Sequence, residues 1–263
     1  MRKLLLTIAA LACAGTAHAQ QRRDPATVEV VYKVEGMDKV RVLADRRFTA
    51  ADGQTLAYDA YLPDDGEIEP RAAIVFVGGA PSVRAWRWYQ DHGRIAAAQR
   101  FVALIPDKRF PRGPEGAAQG IADTADFLRH VAANAKTLEI DPDRICLWVF
   151  SAGGRIAALP YRADAPAVDC LIGFYPILDG AAEAMADASA RKVPAFVVRA
   201  GRDIDVINSG ITRFAAAALS ANQALTLINL PDADHGFEGL NDTEESRSAM
   251  QDAYTFMAKE TGH

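Results

Sequence analysis

The chain has 263 residues, 29 basic and 34 acidic, for a formal net charge of −5. Apolar residues make up 50% and charged residues 24%, a globular composition that excludes a disordered or fibrous protein. An acidic chain without a basic run gives no electrostatic reason to expect nucleic-acid binding. No stretch reaches the roughly 20 apolar residues of a membrane-spanning helix.

Arg2 and Lys3 form a short positive region, Leu4 to Ala12 an apolar one, and Ala17-His18-Ala19 a small-x-small cleavage site. This pattern is that of a secretory signal peptide over residues 1–19, with cleavage expected between Ala19 and Gln20. The expected location is therefore periplasmic or secreted, and residues 20–263 are read as a single domain. Cys146 and Cys170 fall in two strand-like runs; buried free thiols are the favoured reading over a disulfide.

Val28 to Val34 and Val40 to Phe48 are strand-like β-branched runs, and a turn signal at Ala51-Asp52-Gly53-Gln54 leads into the alternating strand Leu56 to Leu62. The pattern then changes to continuous apolar runs, as in strands buried on both faces. Ala72 to Val77 is such a run, Phe101 to Ile105 and Ile145 to Phe150 are two more buried strands, and Val168 to Tyr175, Ala195 to Ala200 and Leu225 to Leu230 supply three further strands. Between them lie helical patterns at Arg94 to Gln99, Ala117 to Leu138, Ala152 to Leu159 and Ser209 to Leu219, with a terminal helix over Asn241 to Lys259 capped by Asn241 or Thr243. Strands alternating with helices predict βαβ crossovers. The expected fold is α/β: a mostly parallel mixed sheet of about eight strands with helices on both faces. Ligands of such sheets sit at the carboxyl ends of the strands.

Three of those ends carry suitable chemistry. In Val149-Phe150-Ser151-Ala152-Gly153-Gly154 a serine stands between a buried strand and a helix, with small residues after it where strand and helix must come close. Val149 occupies the position where the G-x-S-x-G pattern has its first glycine. His235, in the polar loop after the last strand, is the candidate base. Asp203 in Gly201-Arg202-Asp203 is the preferred orienting acid; Asp205 is the alternative and Asp179 a distant third. An oxyanion hole needs two N–H donors. Ala152 is one, and the loop Val77-Gly78-Gly79-Ala80-Pro81-Ser82 supplies the other from Gly79 or Ala80. Trp86 and Tyr89 follow that loop and are candidate substrate-binding residues; packing of the first helix is the equal alternative. The order of serine, acid and histidine is that of α/β-hydrolases.

With these motifs and Asp141-Pro142-Asp143-Arg144-Ile145, from about Arg46 onward the chain resembles a secreted α/β-hydrolase of the dienelactone hydrolase-like group. The resemblance implies Ser151 as nucleophile, Asp203 as acid and His235 as base. The dienelactone hydrolases proper use a cysteine nucleophile, so Ser151 points to a general carboxylic-ester hydrolase. The expected partner is a small-molecule ester, with no cofactor, no metal and no large cap domain. The alternatives are a prolyl-oligopeptidase-like serine peptidase and a non-catalytic binding protein on a hydrolase fold.

Overall fold

A computed structural model describes residues 26–67, 69–110 and 114–263; the segment read as a signal peptide lies outside them. Strands β1 (Val40–Thr49), β2 (Thr55–Pro63), β3 (Arg71–Val77), β4 (Val102–Pro106), β5 (Ile140–Phe150), β6 (Cys170–Phe174), β7 (Ala195–Ala200) and β8 (Leu225–Leu230) form one sheet in the order β1-β2-β4-β3-β5-β6-β7-β8. β1 and β2 pair antiparallel, as do β2 and β4, and every other neighbouring pair is parallel. This is the mostly parallel eight-strand α/β sheet expected from the alternating pattern. The continuous apolar runs are the central strands: every residue of β3, β4 and β6 is buried.

The helices are α1 (Arg87–Ala98), α2 (Pro114–Ala133), α3 (Ala135–Leu138), α4 (Asp179–Met185), α5 (Asp205–Ser220), α6 (Phe237–Leu240) and α7 (Glu244–Thr261). Side chains of a strand alternate between faces, so Trp148 and Phe150 of β5 point the same way. Tyr254 of α7 packs on Trp148 with ring centroids 5.0 Å apart, and His92 of α1 packs on Phe150 at 4.9 Å. Phe127 of α2 packs on Phe48 and Tyr58 at 5.0 and 5.1 Å, closing the antiparallel end. Thr243 caps α7 by accepting the Ser246 N–H.

Several expectations need correction. Val28 to Val34 forms no strand. Two of its amides are taken by residues of helices instead: Val30 N–H donates to Asp91 Oδ2 of α1 at 3.2 Å and Val31 N–H to the Glu238 carbonyl of α6 at 2.7 Å, while Val28 and Val30 are buried. β5 begins at Ile140, because the Asp-Pro-Asp segment is accommodated by a register shift against β3. After Ser151 the chain forms two short 3₁₀ segments, Ser151–Ile156 and Leu159–Tyr161, where a regular helix was expected. Gly153, Gly154 and Pro160 are poor helix formers.

Cys146 and Cys170 form a disulfide, contrary to the free-thiol reading. The parallel register sets them directly opposite one another on β5 and β6, with Cα atoms 4.7 Å apart, within bridging distance. The bridge closes a sequence separation of 24 residues, so its loss is expected to cost about 3 kcal/mol. Denaturant unfolding of Cys146→Ala/Cys170→Ala measures this, and an unchanged midpoint contradicts it.

Candidate active site

Ser151 directly follows β5 with φ 52°, the left-handed region that β-carbon-bearing residues avoid. Such strain persists only when surrounding structure holds it, and here the hold is close packing. A Cβ on Gly153 would lie 2.3 Å from the Val77 carbonyl oxygen, and one on Gly154 2.6 Å from that of Ile177. The Ile177 N–H donates to the Ser151 carbonyl at 2.9 Å. Val149 does not prevent this turn. It is fully buried at the register position shared with Val77 and Gly173.

The loops after β7 and β8 are fastened to each other. Gly201 N–H donates to the Leu230 carbonyl at 2.8 Å and Arg202 N–H to that of Ala233 at 3.0 Å. A Cβ on Gly201 would sit 2.2 Å from the Pro231 carbonyl oxygen, so only glycine allows this approach. The pairing brings Asp203 Oδ2 to 2.6 Å from His235 Nδ1. The second oxygen of Asp203 accepts the Ile204 N–H at 2.7 Å, and its side chain is only 3% exposed. A carboxylate oxygen accepts in such a pair, so Nδ1 is the donor, and in the neutral imidazole with that tautomer Nε2 is the nitrogen with a free lone pair. Asp205 is exposed at the first position of α5, and Asp179 pairs with Arg213.

The loop after β3 lies against the start of the 3₁₀ turn. A Cβ on Gly79 would stand 3.2 Å from the Ala152 nitrogen, so the Gly79 and Ala152 backbones are neighbours. Lys108 donates from Nζ to the Ala80 carbonyl at 2.7 Å.

The model of the dienelactone hydrolase family matches residues 94–260. The chain belongs to the dienelactone hydrolase family. No curated protein sequence matches this family member. Among solved structures it is similar to esterase 2 of Thermogutta terrifontis in a butyrate-bound form: TM-score 0.66, 22% identity, covering 85% of this chain and 95% of that one. The same esterase phosphorylated by paraoxon gives a TM-score of 0.68 at 21% identity, with the same coverage. A Klebsiella pneumoniae protein assigned as a dienelactone hydrolase gives 0.66 at 21% identity, covering 83% and 99%. These likenesses establish the α/β-hydrolase fold.

In this dienelactone hydrolase family member, Tyr89 is buried behind the loop after β3. Its hydroxyl is 2.4 Å from where a Gly78 Cβ would be, and its ring meets Phe150 edge-on at 5.3 Å. Tyr89 therefore packs the loop from behind and has no open face for substrate. Trp86 is half-buried at the N-terminal boundary of α1, 6.0 Å from Tyr89. Arg84 is held by Asp59, Asp107 and Asp45, and Arg87 by Asp91 and Glu29. Among the described residues no group of three or more His, Cys, Asp and Glu side chains is arranged to hold a metal ion. No helix there is long and apolar enough to cross a membrane.

Sequence reasoning missed the polar cluster behind His235. Tyr175, directly after β6 with φ 39°, lays its ring 4.4 Å from the His235 ring and donates its hydroxyl to Glu238 Oε1. Trp88 Nε1–H donates to the same oxygen at 2.9 Å. Glu238 is fully buried, and burial pushes its carboxyl up to about 7. His92, also fully buried, lies with Nε2 4.0 Å from Glu238 Oε1, and burial pushes it down to about 3. Neither His92 nitrogen has a hydrogen-bond partner among the described residues. A glutamate between Phe237 and Gly239 carries no sequence signal of such burial.

Proposed function

We propose that the protein is a serine hydrolase that cleaves carboxylic esters through an acyl-enzyme on Ser151. The observation that carries this reading is the 2.6 Å Asp203–His235 hydrogen bond, in the loops after β7 and β8 at the same carboxyl end of the parallel strands at which Ser151 follows β5 in its strained turn. Nε2 of His235 accepts the Ser151 hydroxyl proton as Oγ bonds to the ester carbonyl carbon. The carbonyl oxygen becomes an oxyanion that accepts from the N–H groups of Ala152 and Gly79. Gly79 is favoured over Ala80 as second donor because its backbone abuts Ala152. The intermediate collapses, His235 gives its proton to the departing alcohol, and water repeats the sequence to free the acid. Asp203 holds the imidazole in the tautomer that this needs and stabilises the imidazolium.

The names of the structural neighbours support a short acyl chain, since Thermogutta terrifontis esterase 2 has structures described as butyrate-bound and propionate-bound. The test is turnover of p-nitrophenyl butyrate by the wild type and Ser151→Ala. The expected loss in kcat is at least about 10⁴-fold. Equal turnover by the two proteins contradicts the reading, and turnover of peptide amides in place of esters shifts it to a peptidase. Export by residues 1–19 to a periplasmic or extracellular location belongs to the same proposal. The Cys146–Cys170 disulfide supports an oxidising compartment.

A further inference from the structure

Lys108 lies two residues past the end of β4 and is 3% exposed. Its ammonium donates to the carbonyls of Gly78 at 2.8 Å and Ala80 at 2.7 Å, and its backbone N–H donates to the Pro81 carbonyl at 2.9 Å. One side chain thus fastens the loop after β3 at two points, and its own backbone at a third. In a trans peptide the carbonyl and the following N–H point in opposite directions, and no described peptide is cis. A Gly78 carbonyl drawn to Lys108 therefore turns the Gly79 N–H to the opposite side of the peptide. Gly79 is the residue whose backbone abuts Ala152.

We propose that Lys108 is a positioning residue of the oxyanion hole, aiming the Gly79 N–H at the substrate oxygen and placing a buried positive charge behind it. The proposal rests on the serine-hydrolase reading of the site. The charged groups around Lys108 are accounted for by each other. Asp107 on its own loop receives Arg84 at 3.0 Å, and Asp123 of α2 is held by Arg109. The ring of Phe110 lies 5.0 Å from Nζ, and Tyr89 of α1 stands behind Gly78. Burial lowers the Lys108 ammonium to about 8, against the opposing pull of Asp107 and Asp123. A lysine lowered this way is charged below about pH 8 and neutral above it. The donors to Gly78 and Ala80 therefore weaken as pH rises through that value.

The experiment compares kcat and KM for p-nitrophenyl butyrate from pH 6.5 to 9.5 in wild type, Lys108→Met and Lys108→Arg. Wild-type kcat is expected to fall as pH rises through about 8. Lys108→Met is expected to lose about 100-fold in kcat at pH 7, with KM changed less than threefold. Lys108→Arg, which keeps donors and charge, is expected to retain activity and lose the alkaline fall. Wild-type kcat that stays level from pH 7 to 9.5 overturns the proposal, and this arm needs no variant to fold. Lys108→Met with wild-type kcat overturns it and leaves the serine-hydrolase reading intact. Absence of Ser151-dependent turnover in the wild type overturns both.

Discussion

Asp203→Asn is expected to lower kcat by about 10⁴-fold on an ester substrate, with KM nearly unchanged, while Asp205→Asn leaves both parameters at wild-type values. The reason is directional. Asp203 accepts from His235 Nδ1 at 2.6 Å and from the Ile204 N–H at 2.7 Å. An asparagine turned to keep its oxygen on Ile204 presents an NH₂ group to Nδ1. The imidazole then accepts at Nδ1 and carries its hydrogen on Nε2, so it has no lone pair for the Ser151 proton. The change is isosteric and the loop is fastened elsewhere, by Asn208 Nδ2 to the Asp203 and Gly201 carbonyls. Folding should therefore survive, and circular dichroism checks that. A large loss in Asp205→Asn together with a small one in Asp203→Asn would exchange the two assignments.

Glu238→Gln is expected to become more stable relative to wild type as pH rises from about 4.5 to about 7. Burial raises the Glu238 carboxyl from 4.5 to about 7 in the folded protein. Between those values the folded chain holds a proton that the unfolded chain has released. Stability contributed by the protonated carboxyl is complete below about 4.5 and is lost as pH rises through about 7. The size follows from 1.36 kcal/mol per unit and is about 3 kcal/mol. A glutamine still accepts from Tyr175 and Trp88 and has no charge to bury. His92 works in the other direction. Held down at about 3 by burial, it weakens the fold as pH drops below its unfolded value of about 6.5. Subtracting the denaturant stability of wild type from that of Glu238→Gln across pH 4 to 8 isolates the glutamate, and a flat difference contradicts this description.

The sheet was legible because its central strands are rich in apolar residues, and burial on both faces leaves no other use for runs such as Ala72–Val77 or Phe101–Ile105. Ser151, Asp203 and His235 stand out as candidates because each lies in the segment that follows a strand-like run. Four kinds of feature were not legible. Val28–Val34 has strand composition, yet its amides bond to Asp91 and Glu238, which lie far away in the chain. α4 and α6, of seven and four residues, are too short for a periodic signal. Lys108 and Glu238 belong to residue types that are rarely buried. Only the folded loops reveal the carbonyls, tyrosine and tryptophan that hold them. The disulfide depended on a register that two separated cysteines do not disclose.

The central claim is an activated serine at Ser151. Labelling of wild type and Ser151→Ala with a fluorophosphonate probe tests it most directly, because only a serine whose proton is taken up during attack reacts readily. The predicted result is stoichiometric labelling of the wild type at Ser151 and none of the variant. A well-folded wild type that stays unlabelled, or equal labelling of both proteins, would contradict it.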